Sequence, residues 1–150
     1  MGALKNIITV ISRTENNKKS VLPRLIVGLV FLSEGIQKFL FPELVGTGRF
    51  EKIGFSDPTF WASFVAMFEI TCGLLVLIGL LTRLAAIPLL VVMITAFITT
   101  KWPILMDKGF WAMAHEYRTD FAMTLLLFYL IFFGAGKWSV DWKIFKSLKS

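Results

Sequence analysis

The sequence predicts an all-α, polytopic membrane protein, an antiparallel bundle of four transmembrane helices, and three observations predict it. Of 150 residues, 56% are hydrophobic and 17% charged, with a mean hydropathy of +0.72, outside the range of soluble domains of this size. Four stretches, about 21–40, 60–81, 84–101 and 113–134, supply the roughly 20 mostly apolar residues needed to cross a hydrocarbon core about 30 Å thick. The third observation is negative: a transmembrane barrel would show short alternating segments, and none occur.

The elements follow in chain order. Residues 1–20 read as a cytoplasmic interfacial segment, because Leu4, Ile7, Ile8 and Ile11 fall at helical spacing between Lys5 and Arg13. That apolar run is too short for a signal-peptide core. Residues 21–136 form the membrane domain. Between its first two spans, VGTGRFEKIGFSDPTFW (Val45 to Trp61) carries Gly46, Gly48, Gly54 and Pro58, which predicts a structured loop with a short helix. In GLLTR, Gly79 closes the second span, Thr82 caps the third, and Arg83 reaches toward headgroups. KWPILMDKGFWAMAHEY places Trp102 and Trp111 at the opposite interface, where the segment could act as a lid. Residues 137–150 form a basic amphipathic tail, with Trp138 and Trp142 at the lipid surface and lysines between them.

Charge sets the expected orientation. Ten of the 16 basic residues, among them Lys18, Arg24, Arg83 and the tail lysines, fall on the side of the termini. The other six are Lys38, Arg49, Lys52, Lys101, Lys108 and Arg118, interspersed with acids. The positive-inside rule then puts both termini in the cytoplasm. Anionic lipid at that face accounts for the net charge of +6, and nucleic acid is not a partner.

Three stretches resemble the signatures of the DoxX family: RLIVGLVFLSEGIQKFLFP (Arg24 to Pro42), FEITCGLLVLIGLLTRLAAI (Phe68 to Ile87) and GAGKWSVD (Gly134 to Asp141). The family consists of small four-span bacterial membrane proteins, named for a subunit associated with a quinone-linked oxidoreductase. The resemblance implies a cytoplasmic (inner) membrane location, a quinone as cofactor, and oxidoreductase subunits or further copies of the chain as partners. In one respect the chain departs from the family: the position before Gly35, often His there, is Glu34 here, so an imidazole role does not carry over.

The spans also carry polar residues that a lipid-facing helix would not. Gly28, Gly35 and Lys38 share a stripe of the first span with Glu34 beside them, and Gln37 lies next to Lys38. The second repeats the device with Ala62, Ala66, Glu69 and Gly73. Small residues on such stripes let helices approach closely. At 1.5 Å per residue, Glu34, Glu69 and Asp120 lie about 9, 13 and 10 Å in from one membrane face. They are expected to meet in a polar pocket, joined by Arg118 and His115. Intramembrane ionisable residues cost about 2.5 to 3.5 kcal/mol each and mark functional sites by default. The plainer reading pairs Glu34 with Lys38, and Asp120 with Arg118 or Arg83, to hold the bundle together.

What is missing narrows the chemistry. Cys72 is the only cysteine and His115 the only histidine, so no internal disulfide, Cys-x-x-Cys pair, bis-histidine haem or standard zinc site can form within one chain. No metal site, covalent cofactor or catalytic residue is expected. Three roles remain: a non-catalytic or accessory membrane subunit of an oxidoreductase, a structural or assembly protein, and a small transporter or channel. The absence of an inverted repeat or broken helix weighs against the last.

Overall fold

The computed structural model describes Thr9, residues 14–16 and residues 18–149; Leu4, Ile7, Ile8 and Ile11, on which the expected surface helix rests, lie outside them. All regular structure among the described residues is helical. Helix α1 (Val21–Leu40) stops where Pro42 forbids continuation. Helix α2 (Thr47–Lys52) is the short helix expected in the following loop. Helix α3 (Pro58–Ile78) starts with Pro58 in its first turn and the Asp57 side chain accepting from the Phe60 N–H at 3.0 Å. It ends at Gly79, whose φ of 72° is the left-handed conformation favoured by glycine.

Helix α4 (Thr82–Ala96) runs into a π-helical stretch, Phe97–Lys101, and on into α5 (Trp102–Lys108). The helical course from Thr82 therefore reaches Lys108, seven residues beyond the expected span end at Lys101. Only the turn at Gly109 separates it from α6 (Phe110–Phe133). The tail forms α7 (Val140–Lys149). Among the described residues, α3 and the Thr82–Lys108 course are long and apolar enough to cross a membrane. Helices α1 and α6 have comparable length, but three charged residues fall inside each span-length stretch of them, Arg24, Glu34 and Lys38 in the first and Glu116, Arg118 and Asp120 in the second, whereas residues 84–100 carry none.

The most extensive packing is between α1 and α3; α4 packs on α3 and α6, and α1 also meets α6. Small residues make the α1–α3 seam close. A Cβ on Gly35 would lie 2.8 Å from the Ala66 carbonyl oxygen, one on Gly28 2.8 Å from the Leu77 Cβ, and one on Gly73 2.9 Å from the Leu32 nitrogen. Ala62 and Ala66 are buried on the same seam. Val27, Phe31, Val76, Leu89, Leu127 and Leu130 fill the core between these helices.

Candidate functional site

The site begins with Lys38, in the last turn of α1. Its side chain turns inward and its Nζ lies 2.6 Å from Glu69 Oε2 on α3, both residues' side chains being at least nine-tenths buried. Glu34, one helical turn back on α1, is 3.9 Å away and about half exposed. The close α1–α3 approach at Gly35 and Ala66 makes this cross-helix contact reachable. A second pair joins Lys101 Nζ, from the π-helical stretch, to Asp120 Oδ2 on α6 at 3.5 Å. A π turn adds a residue to the turn and so re-aims the side chains that follow it; here the buried side chain is Lys101.

Both pairs line one cavity of about 620 Å³, within the range of small-molecule sites. It lies between α3 and α4 beyond their connecting turn, with α1 and α6 contributing Phe31 and Met123. Arg49 from α2 joins the lining, and so do Thr95, Thr99 and Thr100. Thr99 and Thr100 hydroxyls donate to the carbonyls of Thr95 and Ala96, one turn back. Phe50, Phe55 and Trp61 border the same end, with ring centroids 5.2 Å apart for the first two and 5.9 Å for the last two.

The geometry revises the sequence reading at several residues. Glu34, Lys38, Glu69 and Asp120 do line one cavity. Gln37, Arg118 and His115 do not. Gln37 donates along its own helix to Ser33 Oγ at 2.9 Å. Arg118 and His115 pair with each other, Nη1 to Nε2 at 3.1 Å, on an exposed face of α6. Arg49 and Lys101 bring the charged lining to three acids and three bases. Asp120 pairs with Lys101 rather than with Arg118 or Arg83, and the partner of Glu69 is Lys38 from another helix. Arg49 had no readable signal, because it lies on α2, a six-residue helix whose placement over the longer helices no periodicity encodes. For Lys101 the only hint was a cation at the end of an apolar run.

At the opposite end of the helices the three signature stretches meet. Arg24 was expected at the lipid interface, but it is buried. Its guanidinium donates to the carbonyls of Ala135 at 3.0 Å, Trp138 at 3.2 Å and Leu77 at 3.3 Å, the first two in the connection after α6 and the third in the last turn of α3, where carbonyls lack helical partners. Asp141, also buried, accepts from the N–H groups of Leu81 at 2.8 Å and Thr82 at 2.9 Å, so the cap of α4 is supplied from far along the chain and not by Thr82. The Gly79 carbonyl accepts from the Asp141 N–H at 2.8 Å. Arg83 donates to the Phe132 carbonyl at 2.7 Å. Trp102, Trp111 and Trp138 are exposed, Trp142 is half-buried, and the Lys18 ammonium sits 4.8 Å from the Trp138 ring centre.

An apolar helical protein with a charged cavity between its helices and a three-signature clamp at one end is a membrane protein of defined kind. The DoxX family model matches residues 20–102, and the chain belongs to the DoxX family. It is 52% identical over 129 residues to "Uncharacterized membrane protein Rv3486" of Mycobacterium tuberculosis, a match covering 82% of this chain and 79% of that one. A Haemophilus influenzae relative described only as "Uncharacterized protein" is 33% identical over 125 residues, 82% of this chain and 88% of its own. A Bacillus subtilis relative with the name "Putative oxidoreductase CatD" is 31% identical over 134 residues, 87% of this chain and 90% of its own. No solved structure matches the chain significantly.

Proposed function

We propose that this chain is an accessory membrane subunit of a quinone-linked oxidoreductase system, and that the cavity receives the quinone headgroup. On this reading α1, α3, the Thr82–Lys108 course and α6 all cross the cytoplasmic membrane as an antiparallel bundle, with both termini in the cytoplasm and the lysine-rich tail on anionic lipid. The observation that carries the proposal is the cavity itself. An aromatic-sided space of about 620 Å³ places the ammonium groups of Lys38 and Lys101 beside paired carboxylates. Lys38 and Lys101 are the donors that would hold carbonyl oxygens, and the aromatic rings would flank a flat ring. A bound quinone supplies two-electron, two-proton redox capacity. The residues of this chain bind and orient it, exclude water, and keep titratable carboxyls at hand in Glu69 and Asp120. The name of the Bacillus subtilis relative CatD, as an oxidoreductase, is consistent with such a system.

Trp61 on the cavity wall makes the proposal measurable. A short-chain quinone titrated into the protein in lipid nanodiscs is expected to quench fluorescence saturably, with most of the saturable part gone in Trp61→Phe. Lys38→Met and Lys101→Met should each weaken binding roughly tenfold, the equivalent of one lost charge-assisted hydrogen bond. Quenching that never saturates, or that is indifferent to Trp61, would reject the reading.

A further inference from the structure

We infer that the cavity is loaded sideways from the bilayer through the seam between α3 and α4, and that its apolar half seats the aliphatic chain of an amphiphile. The inference uses the quinone reading only for the identity of the headgroup.

The lining is sorted along its length. Lys38, Glu69, Lys101 and Asp120 converge at one end, together with Arg49. Along α4 the cavity continues from Lys101 back to Pro88 and Ile87, roughly 20 Å at helical rise. That far half is apolar, with Val30, Ile87, Val91 and Met123 among its walls. A purely polar solute would leave this half empty, and a purely apolar one would leave the ammonium groups without a ligand. A head and chain joined in one molecule match both halves.

The openings are sorted too. Beside the polar end, Phe50 is 9% exposed and packs against Phe55, which packs on Trp61, so aromatic rings border the side toward α2. On the α1 and α6 side Phe31 and Met123 are 2% and 5% exposed and close the wall at their level, while Glu34 and Thr119 leave access only beside the polar end. The α3–α4 seam differs. Phe64 and Phe68 on one helix and Ile87 and Val91 on the other line the cavity while remaining 38% to 56% exposed. In a membrane protein that exposure faces acyl chains, so the seam is the side from which a chain can slide in.

The test is photolabelling of the full chain in nanodiscs. One probe is a benzoquinone carrying a decyl chain tipped with a diazirine; the other has the same tipped chain on a phosphocholine head. The quinone probe is expected to label the peptides around Phe64–Phe68 and Ile87–Val91, and unlabelled decyl-benzoquinone should compete. Val91→Trp, which fills the seam, should reduce that labelling roughly tenfold, the effect of about 1.4 kcal/mol of lost binding. Leu125→Trp, on the exposed face of α6 away from the cavity, should leave it unchanged, and Ile87→Trp serves if Val91→Trp does not fold. Uncompeted labelling spread over lipid-facing positions such as Leu125 and Phe128 would overturn the inference. So would saturable Trp61 quenching by the quinone without chain labelling at the seam, an outcome that spares the headgroup reading. Competable labelling of the seam by the phosphocholine probe alone would uphold the chain seat and reject the quinone.

Discussion

Among the charged side chains lining the cavity, Lys38 makes the shortest contact, 2.6 Å to Glu69, and has Glu34 as a second, wetter neighbour at 3.9 Å. Removing one member of a dry pair leaves the other charge uncompensated, whereas removing both can be nearly neutral. Glu69→Leu is therefore expected to destabilise the protein by about 3–5 kcal/mol. Lys38→Met combined with Glu69→Leu should recover most of that loss. Thermal unfolding in detergent measures both, and a double variant no more stable than Glu69→Leu would mean that the pair is not the unit that matters. Sequence spacing pointed to Glu34 and Lys38 as the pair, because the two lie four apart on one helix. It could not show that Lys38 is drawn across to Glu69, since that depends on how closely Gly35 lets α3 approach.

At the scale of elements, the turn from α3 to α4 is held by residues distant in sequence. Gly79 takes a left-handed conformation, and a Cβ there would meet Ser139 and the Arg24 guanidinium. Asp141 then supplies the carboxylate that α4 lacks at its own N-terminus, where it also faces the positive end of the helix dipole. Asp141→Ala should cost about 0.5–2 kcal/mol, as expected for loss of an N-cap, while Asp141→Asn should retain part of the stability through one accepting oxygen. The two melting temperatures relative to wild type decide the matter; equal losses would argue that charge, not hydrogen bonding, carries the cap. The π-helical stretch Phe97–Lys101 is the matching device at the cavity end, since it interrupts a regular helix where Lys101 turns inward.

At the scale of the whole molecule, the bias of ten basic residues to six predicts that a reporter fused after Ser150 reads as cytoplasmic and one inserted near Gly54 as external. The reverse pattern would invert the bundle and put the cavity's polar end on the cytoplasmic side. Composition and apolar run length by themselves determined that the chain is helical and built for a membrane, because a low-dielectric solvent demands long segments that satisfy their own backbone hydrogen bonds. The sequence also marked Glu34, Lys38, Glu69 and Asp120, because charge inside an apolar run is costly enough to stand out in one dimension. Only the tertiary structure decided which charges meet. Gln37, Arg118 and His115 lie near the others in sequence yet turn to neighbours on their own helices, while Arg49 and Lys101 reach the cavity from the short helix α2 and a π turn. Arg24 and Asp141 proved to be buried clamps because their partners, carbonyl and N–H groups at the ends of other helices, exist as a site only after those ends have been brought together.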